Sequence, residues 1–228
     1  MRTISCVICA YNEVDRIKNI LDVVVGHPLL SQVIVVNDGS TDATEALLTT
    51  YPSVTALSYS PNRGKTYALG YGIGSTTGDL IMLLDADLTG ITAEDVSALA
   101  QPVLAGTSDI SLSLRSNSLR LYQWLGIDYV TGERVIPRGL ATEFMKKSKL
   151  LPRWGGEVYM NDLILRENCT ITVVKWDAVL NIRKYAKIGR VEGFTEELRM
   201  IRDAFTVFPF FTTLSQMTRM RSRIVRKK

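Results

Sequence analysis

Two aspartates separated by one alanine, Asp85-Ala86-Asp87, directly follow the apolar run at residues 80–84, LIMLL. An apolar strand that ends in two carboxylates presents hard oxygen ligands at a fixed place. Mg²⁺ or Mn²⁺ is held by one or two such carboxylates together with phosphate oxygens. An ion bridging a diphosphate there would neutralise charge building on the leaving group, the role of a Lewis acid. Asp85 and Asp87 are thus the candidate metal ligands. A lone triplet of this kind is often a solvated turn, but a second acid stands at the end of another apolar run. Asp38 follows IVVN (34–37) and precedes Gly39, where the chain can turn sharply. Ser40, Thr41 or Asp42 caps the helix that follows, which leaves Asp38 for a base or a ribose.

Further polar groups fall at comparable places. Ala10, Tyr11, Asn12 and Glu13 close the first apolar run, and Lys65 opens a helix in the stretch Asn62-Arg63-Gly64-Lys65-Thr66. A helix N-terminus favours a phosphate, so Lys65 is expected to face one. The Gly-Lys-Thr is not a triphosphate-binding loop, because Tyr59 stands where that motif needs a glycine. Gly70, Gly72 and Gly74 imitate part of a dinucleotide fingerprint but fall inside the helix, where they permit close packing.

Positioning such groups requires strands alternating with helices. Strand-like runs at 3–10, 32–37, 54–60 and 79–85 alternate with helix-like segments at 13–26, 41–51 and 64–78. That order predicts βαβ units on a mostly parallel sheet flanked by helices. Ligands of such sheets lie beyond the carboxyl ends of the strands, so the three acid-bearing ends converge on one crevice. Beyond residue 107 the pattern predicts a strand at 109–114, a helix at 119–126, a turn-rich stretch at 129–139, a helix at 154–167, a strand at 169–176 and a helix at 192–205. The expected organisation is one α/β domain over 1–208, with a nucleotide-sugar half (1–106) and an acceptor half (107–208), followed by a tail at 209–228.

The 228 residues carry a formal charge of +4, yet residues 219–228 hold six Arg or Lys and no acid. The remainder is slightly acidic. Phe210, Leu214, Met217, Met220 and Ile224 recur at spacings of three and four after Pro209, with Arg219, Arg223 and Arg226 off that stripe. This predicts a basic amphipathic helix, which either lies in an anionic membrane interface or docks on the body with a solvated tail. Apolar runs are too short to span a bilayer, and no leader pattern opens the chain, so the expected location is cytoplasmic, peripheral at the inner face of a membrane. Three cysteines suit a reduced protein, and Cys6 and Cys9 point to opposite faces of one strand.

Taken together these motifs resemble family 2 glycosyltransferases of the GT-A fold, most of all the group of dolichol-phosphate mannose synthase and related polyprenyl-phosphate glycosyltransferases. The resemblance rests on CAYNE (9–13), VVNDGSTD (35–42), NRGKTYALGYG (62–72) and DLIMLLDADL (79–88) in that order. SLSLR, ending at Arg115, is similar to the segment that presents an arginine to phosphates. DYVTGERVIPR (128–138) is similar to the group's acceptor stretch, which implies that Arg134, with Arg138, meets the acceptor phosphate or the donor diphosphate. An arginine fork suits that task. The implied activity is a metal-dependent hexosyltransferase that moves a sugar from a nucleotide-diphosphate sugar, with inversion, to a polyprenyl phosphate. Tyr11, Glu13, Asp38, Lys65, Asp85, Ala86 and Ala10 would hold the donor, with Asp87, Arg115, Arg134 and Asp128 as catalytic groups. A hydroxyl acceptor of a glycan would instead need a base, and Asp128, Glu157 and Asp162 are available. No nucleic-acid partner is expected. A sugar nucleotidyltransferase would need a glycine-rich opening loop that CAYNEVDR lacks; a non-catalytic nucleotide-sugar sensor remains the other alternative.

Overall fold

The computed structural model describes residues 2–181, 195, 199, 202–203 and 205–225. Strands β1 (Ile4–Ala10), β2 (Leu30–Asp38) and β4 (Leu80–Asp85) bury most of their side chains on both faces, which is why each reads as a nearly continuous apolar run. At the sheet edge β3 (Val54–Tyr59) has no fully buried residue and exposes Thr55, Ala56 and Ser58. Helices α1 (Ile17–Val24), α2 (Thr44–Leu48) and α3 (Lys65–Ile73) are the crossovers, and the four strands lie parallel in the order β3-β2-β1-β4.

The chain continues through β5 (Leu88–Thr89), α4 (Ala93–Leu104), β6 (Ile110–Arg115), α5 (Arg120–Leu125), β7 (Arg134–Pro137), α6 (Arg138–Ser148), α7 (Gly156–Arg166), β8 (Ile171–Trp176), β9 (Leu180–Asn181) and α8 (Phe210–Ser222). Thr92 and Asp95 form a capping box that starts α4. The full sheet has the order β3-β2-β1-β4-β7-β6-β8, with β7 antiparallel to both neighbours, while β5 and β9 make a separate antiparallel pair. Strand β7 corrects the turn-rich expectation for 129–139. Four residues beginning with an arginine are too few to show a strand's alternation.

One core joins α1 and α4 to the sheet, and the other joins α3, α6 and α7. Cys6 belongs to the first and Cys9 packs against the second, as their spacing predicts, and both are free thiols. Gly72 lets α3 approach the sheet closely, since a Cβ there would meet Val7 Cγ1 at 2.6 Å and Val36 Cγ2 at 2.8 Å.

Helix α8 forms where expected and turns part of the expected stripe inward: Met220 is buried and Met217 and Ile224 pack against the core, while Leu214 is half exposed and Thr213 and Gln216 are buried instead. The Tyr129 hydroxyl donates to Gln216 Oε1, and Gln216 Nε2 donates to Asp162 Oδ1 at 3.4 Å. Buried hydrogen bonds thus replace part of the apolar stripe. Beyond the helix, Ile171 N–H donates to the Arg223 carbonyl at 3.0 Å and Val225 N–H to the Ile171 carbonyl at 2.9 Å, which fastens the segment to β8. The helix expected over 192–205, the side chain of Phe210 and residue Arg226 lie wholly or mostly outside the described residues. Among the described residues no helix is long and apolar enough to cross a membrane.

Candidate active site

The carboxyl ends of β1, β2 and β4 meet at the point where the strand order reverses, because β2 and β4 flank β1 on opposite sides. Asp38 ends β2 and Asp85 ends β4. Asn12, at φ 56°, latches the first two loops together: its Oδ1 accepts from Thr41 N–H at 2.8 Å, and its own N–H donates to Ser40 Oγ at 3.0 Å. Beside them a cleft of about 290 Å³ is lined by Asn37, Gly39, Ser40, Glu45 and Ser58 to Ser60. Tyr11 is 47% exposed, Ala10 and Ala86 are buried, and the Glu13 carboxylate turns back to Arg16 Nε at 2.5 Å.

The expectation that Asp38 stands free for a base or ribose needs correction. Its carboxylate accepts from Arg63 N–H (2.7 Å), Gly64 N–H (2.9 Å) and Asn62 Nδ2 (3.0 Å). Asp38 therefore clamps the loop that leads into α3. Gly39 and Gly64 both take positive φ, and a Cβ on Gly39 would stand 2.6 Å from Asn62 N. The clamp sets where Lys65 starts.

Lys65 reaches Asp85 Oδ1 at 2.6 Å and Glu157 Oε1 at 2.7 Å. Burial opposes its charge, but the two carboxylates outweigh that and push its pKa above the usual lysine value. Glu157 lies in the first turn of α7, and that turn is stapled to α3: Thr66 N–H and hydroxyl both donate to the Arg153 carbonyl, and Gly156 N–H donates to Thr66 Oγ1 at 3.0 Å. At the same end of the sheet, Gly132 packs directly on the Asp85 carboxylate.

Arg115 ends β6. Its Nη1 donates to Glu133 Oε1, and its Nη2 lies 3.7 Å from Asp128 Oδ2. Burial pulls its pKa down, but Glu133, Asp85, Asp128 and Asp87 together push it up, so Arg115 lies within the field of the aspartate pair. Its Nε is buried without a hydrogen-bond partner. Asp128 also accepts from the Ser118 hydroxyl at 2.6 Å and Val130 N–H at 3.1 Å. Glu133, fully buried, accepts from the Ser113 hydroxyl at 2.6 Å, and burial pushes its pKa up. Sequence reasoning missed Glu133, although an acid inside a buried apolar stretch beside Arg134 was a signal.

The structure sets the two downstream arginines apart. Arg134, fully buried on β7, donates to the Thr131 carbonyl and to Asn161 Oδ1 at 3.2 Å, and its Nε has no hydrogen-bond partner. Arg138 belongs to the opposite end of the sheet, because Pro137 pairs with Leu80 at the start of β4; its guanidinium donates to the Gly78 (2.6 Å) and Thr76 (3.1 Å) carbonyls. The antiparallel run of β7 carries the two residues away from each other.

Among the described residues the connected cluster holds Asp85, Asp87, Asp128, Glu133 and Glu157 against Lys65, Arg115 and Arg134. Asp85 and Asp87 are oxygen donors of the kind a hard divalent ion takes, and among the described residues no three acidic, histidine or cysteine side chains converge on one metal position.

A family model described as glycosyl transferase family 2 matches residues 5–154. A bactoprenol glucosyl transferase of Shigella phage SfX is 35% identical over 122 residues, 50% of this chain and 39% of that protein. A dolichyl-phosphate beta-glucosyltransferase of Trichomonas vaginalis is 36% identical over 94 residues, 36% of this chain and 28% of that protein. The matched stretch thus spans well under half of either relative. Glucosyl-3-phosphoglycerate synthase from Mycobacterium tuberculosis, in complex with Mn²⁺, UDP-glucose and phosphoglyceric acid, superposes with a TM-score of 0.71 at 22% identity over 90% of this chain and 79% of that one. That likeness is one of fold, and the fold is GT-A. With the matched segment running from β1 past the aspartate pair and through α6, the chain belongs to glycosyl transferase family 2.

Proposed function

We propose that the protein transfers a sugar from a nucleoside-diphosphate sugar to a polyprenyl phosphate, with inversion at the anomeric carbon. The observation that carries this reading is the Asp85–Asp87 pair at the strand-order reversal, beside Lys65 and Arg115. Residues 1–106 would bind the donor and 107–208 the acceptor. Asp85 and Asp87 would hold Mg²⁺ or Mn²⁺, which when bound offsets charge on the departing diphosphate. Tyr11 and the cleft at Asn37 to Ser60 would receive the nucleoside, with the loop clamped by Asp38 shaping its wall. The Arg115 guanidinium, with its buried Nε lacking a protein partner, would take an oxygen of the acceptor phosphate. An acceptor oxygen then forms the new bond to the anomeric carbon as the bond to the diphosphate oxygen breaks, and the electron pair leaves with the nucleoside diphosphate.

A phosphate rather than a hydroxyl acceptor is favoured by the state of the three candidate bases. Asp128 lies 3.7 Å from Arg115, Glu157 2.7 Å from Lys65 and Asp162 2.7 Å from Arg166. Each is committed to a cation, whereas an ionised phosphate needs no base. Relatives named for bactoprenol and dolichyl phosphate support the same acceptor class. Contact with an anionic membrane is supported by an exposed surface on which Arg221 lies over Trp124, 5.5 Å from the ring centroid, with Leu214 and Phe211 at helical spacing on the same flank of α8.

The test is calorimetry of UDP-, GDP- and dTDP-sugars with and without Mn²⁺, beside Asp87→Ala, followed by transfer to a short-chain polyprenyl phosphate. Metal-dependent binding of one donor, lost in the variant, and transfer to the lipid phosphate are expected. A folded protein that binds no donor would end the catalytic reading.

A further inference from the structure

Lys65 occupies the Asp85 carboxylate that the divalent ion needs. The ammonium is 2.6 Å from Asp85 Oδ1 and 2.7 Å from Glu157 Oε1, and all three side chains are at most 19% exposed. At that separation an ammonium and a dication cannot share one carboxylate oxygen without strong mutual repulsion. A dication on either oxygen of Asp85 would repel the ammonium held on Oδ1, and of the three partners two are held in place. Asp85 has the Gly132 backbone against it, close enough that a Cβ would stand 2.3 Å from Oδ1 and 2.6 Å from Oδ2. Glu157 sits in a helix turn stapled to α3 through Thr66, Arg153 and Gly156. The long flexible stem of Lys65 is the movable part.

We infer that Lys65 is a resident counter-ion that occupies Asp85 until the donor arrives, and that Glu157 is the positioning residue on which it pivots toward the diphosphate. This rests on the donor site proposed above. In the donor-free protein the ammonium offsets part of the charge of two carboxylates and disfavours metal binding. When a diphosphate enters with the ion, its oxygens give Lys65 a new partner while Glu157 keeps the ammonium within the site. Metal and nucleotide then bind together far better than either alone. The exchange breaks and forms only ion pairs, so no proton or electron has to move.

The experiment titrates Mn²⁺ alone into the whole protein, followed by electron paramagnetic resonance of the free ion, and repeats it with UDP and with GDP. Two variants leave the net charge of the cluster unchanged, so a general change of field does not move them. Lys65→Met with Glu157→Gln removes the competing ammonium and one carboxylate together, and should bind Mn²⁺ alone on the order of tenfold more tightly than wild type while losing the gain from nucleotide. Lys65→Arg places a forked cation between the same carboxylates and should bind Mn²⁺ alone more weakly. Near-ultraviolet circular dichroism checks that each is folded, and either variant alone suffices if the other is not. A folded variant that binds Mn²⁺ alone as wild type does overturns the inference, even if wild type binds the metal with nucleotide. Wild type that binds no Mn²⁺ with or without UDP or GDP overturns the donor site and this inference with it.

Discussion

Gly132 lies flat against the carboxylate of Asp85, 47 positions earlier in the chain, so that the segment leading into β7 forms one wall around that carboxylate. An added Cβ would stand 2.3 Å from Oδ1, so any other residue forces the carboxylate to shift. Gly132→Ala should therefore push Asp85 aside. Donor affinity in the presence of Mn²⁺ should fall at least about tenfold, equivalent to about 1.4 kcal/mol, measured by calorimetry against a wild type of comparable melting temperature. Unchanged affinity would mean that Asp85 does not contact the ion.

Asp38 makes a different contribution. Because its two oxygens accept from three donors of the 62–64 loop, with a backbone N–H on each oxygen, Asp38→Asn turns an amide N–H toward a backbone N–H that can only donate. A buried charge-assisted hydrogen bond is worth about 1.5–3 kcal/mol, and chemical denaturation should show a loss of that order. Donor affinity should fall with it, since the same loop starts α3 and Lys65.

Stability should depend on acid through Asp109, which accepts from Thr170 N–H at 2.7 Å and the Thr170 hydroxyl at 2.6 Å and so joins the start of β6 to that of β8. These hydrogen bonds, the side-chain one foremost, hold its pKa below 3.8. A depressed folded value stabilises the protein above the unfolded value and is lost as pH falls through the folded one. Asp109→Asn should lower the melting temperature at pH 7, and the gap to wild type should close below about pH 3.8. A gap that persists at pH 3 would show that the side chain acts by shape alone.

On the surface shared by α5 and α8, Trp124 is 73% exposed, Phe211 80% and Leu214 50%. Arg219→Glu with Arg221→Glu should reduce co-sedimentation with vesicles rich in anionic lipid at low salt, and Trp124→Ala should reduce it at any salt, since its contribution is apolar. Point changes suit this test better than removal of residues 209–228, which would uncover the faces that Met220 and Gln216 cover. Binding that survives both changes would remove this surface from the acceptor argument.

The β1 to β4 part of the fold was legible because its signals are local. A strand buried on both faces reads as an apolar run whatever its neighbours, Asp38 and Asp85 stand where two of those runs end, and Lys65 opens α3 as read. The pairing of Lys65 with Glu157 spans 92 positions and leaves no trace in spacing. That Arg134 and Arg138 part company was not legible, because a motif gives an order of residues and not a direction of travel: β7 runs antiparallel, so the two residues flank opposite ends of the strand. In α8 the apolar stripe gave the helix and the Met217, Met220 and Ile224 part of the inward face, but not Gln216, which is buried by hydrogen bonds that no hydrophobic pattern encodes.

Strand β7 also determines where the chain tolerates changes of length. Its four residues are held between β4 and β6 with Arg134 opposite both Leu83 and Leu112. Side chains alternate along a strand, so inserting or deleting one residue anywhere in 131–137 exchanges inside for outside. Val135 would take the Arg134 seat over Asn161, and Gly132 would leave Asp85. The stretch from Ser116 to Val130 has no such parity, because it runs outside the sheet. Changes of length there are tolerated at the exposed residues 119–121, away from the buried Tyr122, Ile127, Asp128 and Tyr129, while the seven residues after the stretch must keep their count.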